Sequence, residues 1–278
     1  MRRILLALAL AASAASPAWS GEGGGSAASD SRADRAGLPD GVAPWWPSRY
    51  GADDEIGTLN ELTPARIVEA VRLVRQGERI DLGRVLDKDT PVFPGRYWHQ
   101  SVDLAPLITN LRRADAHGRG WGLNEINWIT EIQVGTFQVG TQLDSIGHLQ
   151  IGDRFYNGWK TRDVVEDWGL NRFGIESVPP IVGRGIVVDL AGLNGVERLD
   201  KGTVIGVADV ERALARQGIT IAEGDIVLLH TGWGSLWGKD NALFLSGEPG
   251  PGLALVEWLH AKRIAALGTD SWSIGPVP

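Results

Sequence analysis

Three observations predict an α/β domain with a mixed sheet. Short apolar runs such as Ile186-Val187-Val188-Asp189-Leu190 and Ile226-Val227-Leu228-Leu229-His230 read as strands, and their continuity is that of central strands covered on both faces. Helical periodicity with its own start and stop residues falls between such runs, so strands and helices intermix along the chain. A hydrophobic fraction of 43% in 278 residues supplies a sizeable core, which excludes disorder throughout.

Met1-Arg2-Arg3, the apolar run Ile4 to Ala15 and the small residues around Ala18-Trp19-Ser20 match a secretory signal peptide over residues 1–20, which predicts a periplasmic or secreted protein. The run is too short to cross about 30 Å of hydrocarbon as a helix, so no membrane attachment is expected after its removal. Cleavage would leave 25 basic against 34 acidic residues, a charge of −9. Residues 21–43, with GEGGGSAASDSRADRAG, are small, polar and Gly/Ser-rich and read as a flexible leader. From Pro44-Trp45-Trp46-Pro47 onward no second linker and no repeat interrupts the sequence, so residues 44–278 are expected to form one domain.

Within it the first helix follows Thr63, a natural N-cap; Pro64 suits the first helical position because its missing N–H would be unpaired there, and Gly77 is the expected stop. Ile67, Ala70, Val71 and Val74 then share a face. Ile80 to Leu82 and Trp128 to Val134 read as strands. Beyond the strand at 186–190, a second helix is predicted over Val207 to Arg216 with Gly218 as its stop. Another is expected over Gly252 to Ala261, where Leu253, Val256 and Leu259 or His260 recur at helical spacing. Ile264 to Leu267 is the last expected strand.

Composition narrows the chemistry. The absence of Cys removes disulfides, thiolate metal sites and a thiol nucleophile. With 27 Lys+Arg against 34 Asp+Glu (net −7), the chain lacks the basic surplus that displaces counterions from phosphates, so no nucleic-acid partner is expected. Its 37 Gly, about 13%, nearly double the usual ~7%. Five histidines remain as ligands or acid–base groups: His99, His117, His148, His230 and His260. His260 falls in a predicted helix and His117 in a polar loop, both suited to solvated roles. For His230, at a strand end, a hydrogen-bonded core residue and a site residue both stand. His148 lies four residues after Asp144 in Val139-Gly140-Thr141-Gln142-Leu143-Asp144-Ser145-Ile146-Gly147-His148. That carboxylate and imidazole can share a metal, pair as base and orienting group, or form a structural hydrogen bond.

The stretch Gly140 to His148 resembles the signature of the metal-dependent cyclase family, of the kynurenine formamidase and isatin hydrolase type, built around His-x-Gly-Thr-His-x-Asp-x-x-x-His. Tyr50 to Asn60, Thr90-Pro91-Val92-Phe93-Pro94-Gly95, Gly224 to Trp233 and Leu267 to Trp272 resemble further blocks in the same order. The resemblance implies a swivelling β/β/α fold assembled into dimers or tetramers. It also implies hydrolysis of an amide or lactam C–N bond in a small, aromatic substrate, as in arylformamidases. In those terms Asp144 binds a divalent ion (Mn²⁺ or Zn²⁺), His148 is the general acid/base, and Phe93 lines the pocket.

Two departures accompany it. Gln138 and Gln142 stand where the family has its first two His ligands, and an amide oxygen suits Mn²⁺ better than Zn²⁺. With such donors the ion is expected to be weakly held or lost. Family members also continue past the Asp-x-Trp block to a His and a Glu, whereas this sequence stops at Pro278, so a domain lacking its C-terminal segment is expected. A non-catalytic binding or structural relative that has lost the metal is the alternative function. Trp98, Trp121, Trp128 and Trp233 would suit a flat aromatic substrate, or simply the core or an oligomer interface. Gly135, Gly140, Gly147 and Gly152 punctuate the stretch that must bend around such a site.

Overall fold

A computed structural model describes residues 44–104, 124 and 128–278; the expected signal peptide and leader, His117 and Trp121 lie outside the described residues. In chain order the strands are β1 (Trp98–Leu104), β2 (Ile129–Gly135), β3 (Val165–Glu166), β4 (Gly169–Leu170), β5 (Gly185–Asp189), β6 (Val204–Ile205), β7 (Ile226–His230), β8 (Gly250–Pro251) and β9 (Ala266–Thr269). The helices are α1 (Pro64–Val71), α2 (Thr161–Val164), α3 (Leu190–Asn194), α4 (Val207–Gln217), α5 (Asn241–Phe244) and α6 (Leu253–Ala261). The α/β class holds, with parallel and antiparallel pairings divided among separate sheets. β5, β7 and β9 form a parallel sheet in the order β5-β7-β9, β6 pairs with β8 in parallel, and β1–β2 and β3–β4 are antiparallel pairs.

Parallel strands need a crossover, and the two helices predicted between these strands supply it. α4 ends where Gly218 turns into the left-handed region at φ 67°, and its first turn is closed by Gly206 N–H donating to Asp209 Oδ2 at 2.9 Å. Ile186, Val188, Val227 and Leu229 alternate onto one sheet face and join Val210, Ala213 and Leu214 of α4 and Leu255 and Leu259 of α6 in the main core. The expectation of strands covered on both faces is corrected here. Val187, on the opposite side, is 50% exposed and Leu228 is half-buried, so the unbroken apolar runs mark an apolar face that no described helix covers.

Three elements depart from expectation by more than a single residue. Thr63 caps α1 as predicted, accepting from Arg66 N–H at 3.4 Å, but the helix ends at Val71 rather than near Gly77. Its apolar side is only partly covered: Ile67 and Ala70 are half-buried while Val71 and Val74 are exposed, and a short helix with so little tertiary packing does not propagate. Ile80 to Leu82 forms no strand. Leu82 C=O instead accepts from the Thr141 hydroxyl at 3.3 Å. The final strand begins two residues later than Ile264, which is itself packed in the main core.

The N-terminal stretch of the described chain is tied down at distant points. Ser48 N–H donates to Asn157 Oδ1 at 2.6 Å, and the Tyr156 hydroxyl donates to Asp54 Oδ2 at 2.9 Å. Glu61, only 2% exposed, accepts from Arg263 through Nε and Nη2 at 3.0 and 2.8 Å and from the Tyr50 hydroxyl.

Candidate active site

The β1–β2 ribbon delivers the site. Its register sets Trp98 opposite Gly135, and the ladder continues past both strand ends through Thr136 N–H donating to Tyr97 C=O at 3.0 Å. The residues just outside the ribbon are thereby brought face to face. Arg96, before β1, donates from Nη1 to Oε1 of Gln138, after β2. Gly140 then reverses the chain at φ 70°, and the hydroxyl of Thr141 accepts from Arg84 N–H at 3.0 Å, fixing the segment that carries Gln142 and Asp144.

His148 closes a short 3-10 turn over Ile146–His148, with its N–H donating to Ser145 C=O at 3.0 Å. The turn packs so closely on residues 170–173 that a Cβ on Gly147 would lie 2.7 Å from Phe173 O. Asp144 and His148 are both partly exposed, and the Asp144 Oδ2 to His148 Nε2 distance is 3.9 Å. Gln138 Nε2 reaches His148 Nδ1 at 3.5 Å, and Gln142 Nε2 lies 3.4 Å from each Asp144 carboxylate oxygen. The four polar residues expected from sequence, Gln138, Gln142, Asp144 and His148, are therefore joined in one cluster. Arg96 completes it and was not anticipated; its only signal is its place directly after Phe93-Pro94-Gly95.

These donors do not fit a resident zinc or manganese ion. Protein zinc sites draw three or four imidazole, thiolate or carboxylate ligands. Here one carboxylate and one imidazole converge, and no group of three such residues occurs among the described residues. The amides turn their NH₂ groups toward Asp144 and His148, while the Gln138 oxygen is taken by a guanidinium. This arrangement is a hydrogen-bond network rather than a ligand cage.

Phe93 is linked to this cluster through Arg96. It opens a turn closed by Arg96 N–H donating to Phe93 C=O at 2.9 Å, and its ring stacks on Trp272 with centroids 4.1 Å apart. Trp272 is held from behind by Glu248, a fully buried carboxylate that accepts from Trp272 N–H at 2.9 Å and from the Ser273 N–H and hydroxyl. Burial pushes the Glu248 carboxyl above its ordinary range despite those hydrogen bonds. Asp270 accepts from the Thr231 N–H at 2.9 Å and the Gly234 N–H at 3.1 Å, joining the two C-terminal sequence blocks.

The other histidines take separate places. His230 is hydrogen-bonded through Nδ1 to Asp189 at 2.9 Å but is half exposed, so it is not a core residue. That contact, followed by the Gly192 N–H, holds the Asp189 carboxyl below its ordinary range. His260 is exposed beside Arg49, 2.8 Å away. Trp233 is a core residue, 2% exposed, with its indole N–H donating to Phe244 C=O at 3.2 Å.

The model of the Cyclase family matches residues 80–276. A crystal structure described as a novel cyclase is 32% identical, with a TM-score of 0.74, over 82% of this chain and 76% of that one. Isatin hydrolase A from Ralstonia solanacearum matches at 21% identity and a TM-score of 0.48, over 71% of this chain and 68% of the other. Isatin hydrolase A from Labrenzia aggregata matches at 20% and 0.47, over 71% and 69%. No curated protein matches significantly.

Proposed function

The chain belongs to the cyclase family, and from that premise we propose that it hydrolyses an amide or lactam C–N bond of a small, flat substrate. The convergence of Asp144 and His148 with Gln138 supports this most directly. When Gln138 donates to Nδ1 of a neutral His148, the imidazole proton sits on Nε2, facing Asp144. The 3.5 Å contact from Gln138 is long enough for a water to replace it at Nδ1. That water attacks the carbonyl carbon as its proton passes to Nδ1, and the charge of Asp144, 3.9 Å from Nε2, stabilises the resulting imidazolium. As the C–N bond breaks, the proton moves from Nδ1 to the leaving nitrogen, giving a carboxylic acid and an amine. No step is assigned to a divalent ion.

The test is turnover of N-formyl arylamines, isatin and simple lactones by the full chain. His148→Ala is expected to lower kcat by about 10²–10⁴-fold. Turnover unchanged in that variant would refute the assignment. A second reading, a binding relative without catalysis, is favoured by the amide donors that fill the ligand positions; retained ligand binding with no turnover on the whole panel would establish it.

Assembly and export belong to the same proposal. The exposed Ile129, Ile132 and Val134 of β2 support a homo-oligomer, dimer or tetramer, to be measured by light scattering. Export rests on residues 1–20 and is tested by fractionation; no described helix is long and apolar enough to cross a membrane.

A further inference from the structure

We propose that Arg96 makes this site a receptor for a planar carboxylate carried on a flat ring, bound without a metal ion. The inference rests on the site reading above and adds the class of ligand. Elsewhere, half-buried arginines end on carboxylates: Arg172 on Glu55 at 2.7 Å and Arg184 on Asp225 at 2.6 Å. Arg96 is equally half-buried, yet among the described residues its side chain reaches only the neutral oxygen of Gln138. A guanidinium carries five N–H donors in a planar fork that matches a carboxylate, so most of its capacity is unspent.

A second unspent donor lies beside it. The Trp272 indole N–H is buried and has no acceptor among the described residues, and the Trp272 ring stacks on Phe93, which shares a four-residue turn with Arg96. Residues i and i+3 of such a turn lie within about 7 Å, so the aromatic face and the charge are presented together. Phe93 keeps 36% of its surface exposed, enough for a ring to rest on it. The NH₂ groups of Gln138 and Gln142 are already engaged, on His148 and Asp144. The unspent groups around Phe93 are thus donors, the Arg96 guanidinium and the Trp272 indole N–H, and the fixed charge of Arg96, one amide from His148, repels a divalent cation from the same place. An anionic, acceptor-rich ligand satisfies these groups.

Benzoate is the probe, with benzamide as its uncharged counterpart, titrated by calorimetry and tryptophan fluorescence into the full chain after dialysis against EDTA. Saturable benzoate binding is expected, about tenfold or more tighter than benzamide, and weakened about tenfold or more by Arg96→Gln with an unchanged circular dichroism spectrum. His148→Ala is expected to keep benzoate binding while losing turnover, so failure of the hydrolase reading and failure of this one remain distinguishable. The proposal is overturned if the wild type does not bind benzoate or binds benzamide equally well. It also falls if binding disappears with EDTA and returns with Zn²⁺ or Mn²⁺, or if folded Arg96→Gln binds as the wild type does.

Discussion

Replacing Glu61 by Gln tests how much the domain depends on one buried carboxylate. Glu61 is 2% exposed and accepts from Arg263 at 3.0 and 2.8 Å and from the Tyr50 hydroxyl, with Arg66 Nη1 3.6 Å away. Breaking a buried ion pair by removing one partner costs about 3–5 kcal/mol when the stranded charge stays buried. Here the stranded charges are not: the Arg263 and Arg66 side chains are 44% and 29% exposed, and both also reach Glu223, at 2.8 and 2.9 Å. The expected loss for Glu61→Gln is therefore smaller, about 2–3 kcal/mol, which corresponds to a Tm lower by about 4–12 °C in a domain of this size.

The pH dependence follows from the same contacts. Burial pushes the Glu61 carboxyl up, but hydrogen bonds from Tyr50 and Arg263 outweigh it and hold the group below its ordinary value of 4.5. A carboxylate with a depressed folded pKa stabilises fully above its unfolded value, and that contribution disappears as pH falls through the folded value. Thermal melts of both proteins followed by circular dichroism should therefore show a gap that is constant from pH 7 to about 5 and narrows below about 4.5. A gap under about 1 °C at pH 7, or one that widens on acidification, would refute the reasoning.

Leu255→Ala, at a fully buried position in the main core, should cost about 2–5 kcal/mol, read as a lowered urea midpoint; a change below about 0.5 kcal/mol would contradict the packing described. Gly147→Ala should displace the turn bearing His148, because its Cβ would come 2.7 Å from the Phe173 carbonyl oxygen, and a backbone atom cannot step aside as a side-chain end can. Turnover is expected to fall about tenfold or more, with a stability loss of about 1–3 kcal/mol.

Local signals were legible wherever local chemistry decides the outcome. Gly218 and Thr63 mark helix ends in the structure as their residue types predict, because a left-handed stop and a side-chain cap need no distant partner. The far end of α1 was not legible: Val71 and Val74 continue a proper apolar stripe, but only the tertiary structure reveals that this end of it stays exposed. The same limit applies to β5 and β7, where an apolar run looks identical whether one face or two are covered. At the site, Gln138, Gln142, Asp144 and His148 were found through the motif, and they do converge. Arg96 escaped because its place beside Gln138 depends on the ribbon register, a pairing across 42 residues that no local pattern contains.

The ties of the N-terminal segment also have a timescale. Glu61 waits for Arg263, 202 positions later, before its charge is matched. At a synthesis rate of about 5–20 residues per second, roughly 10–40 s separate the appearance of the two residues at the ribosome. Ser48 waits 109 positions for Asn157. The first part of the domain to be made is thus among the last to be locked, and so records whether the strand at the far end has arrived. A nascent chain halted before Arg263 should leave this segment open to proteases, and one released after it should not.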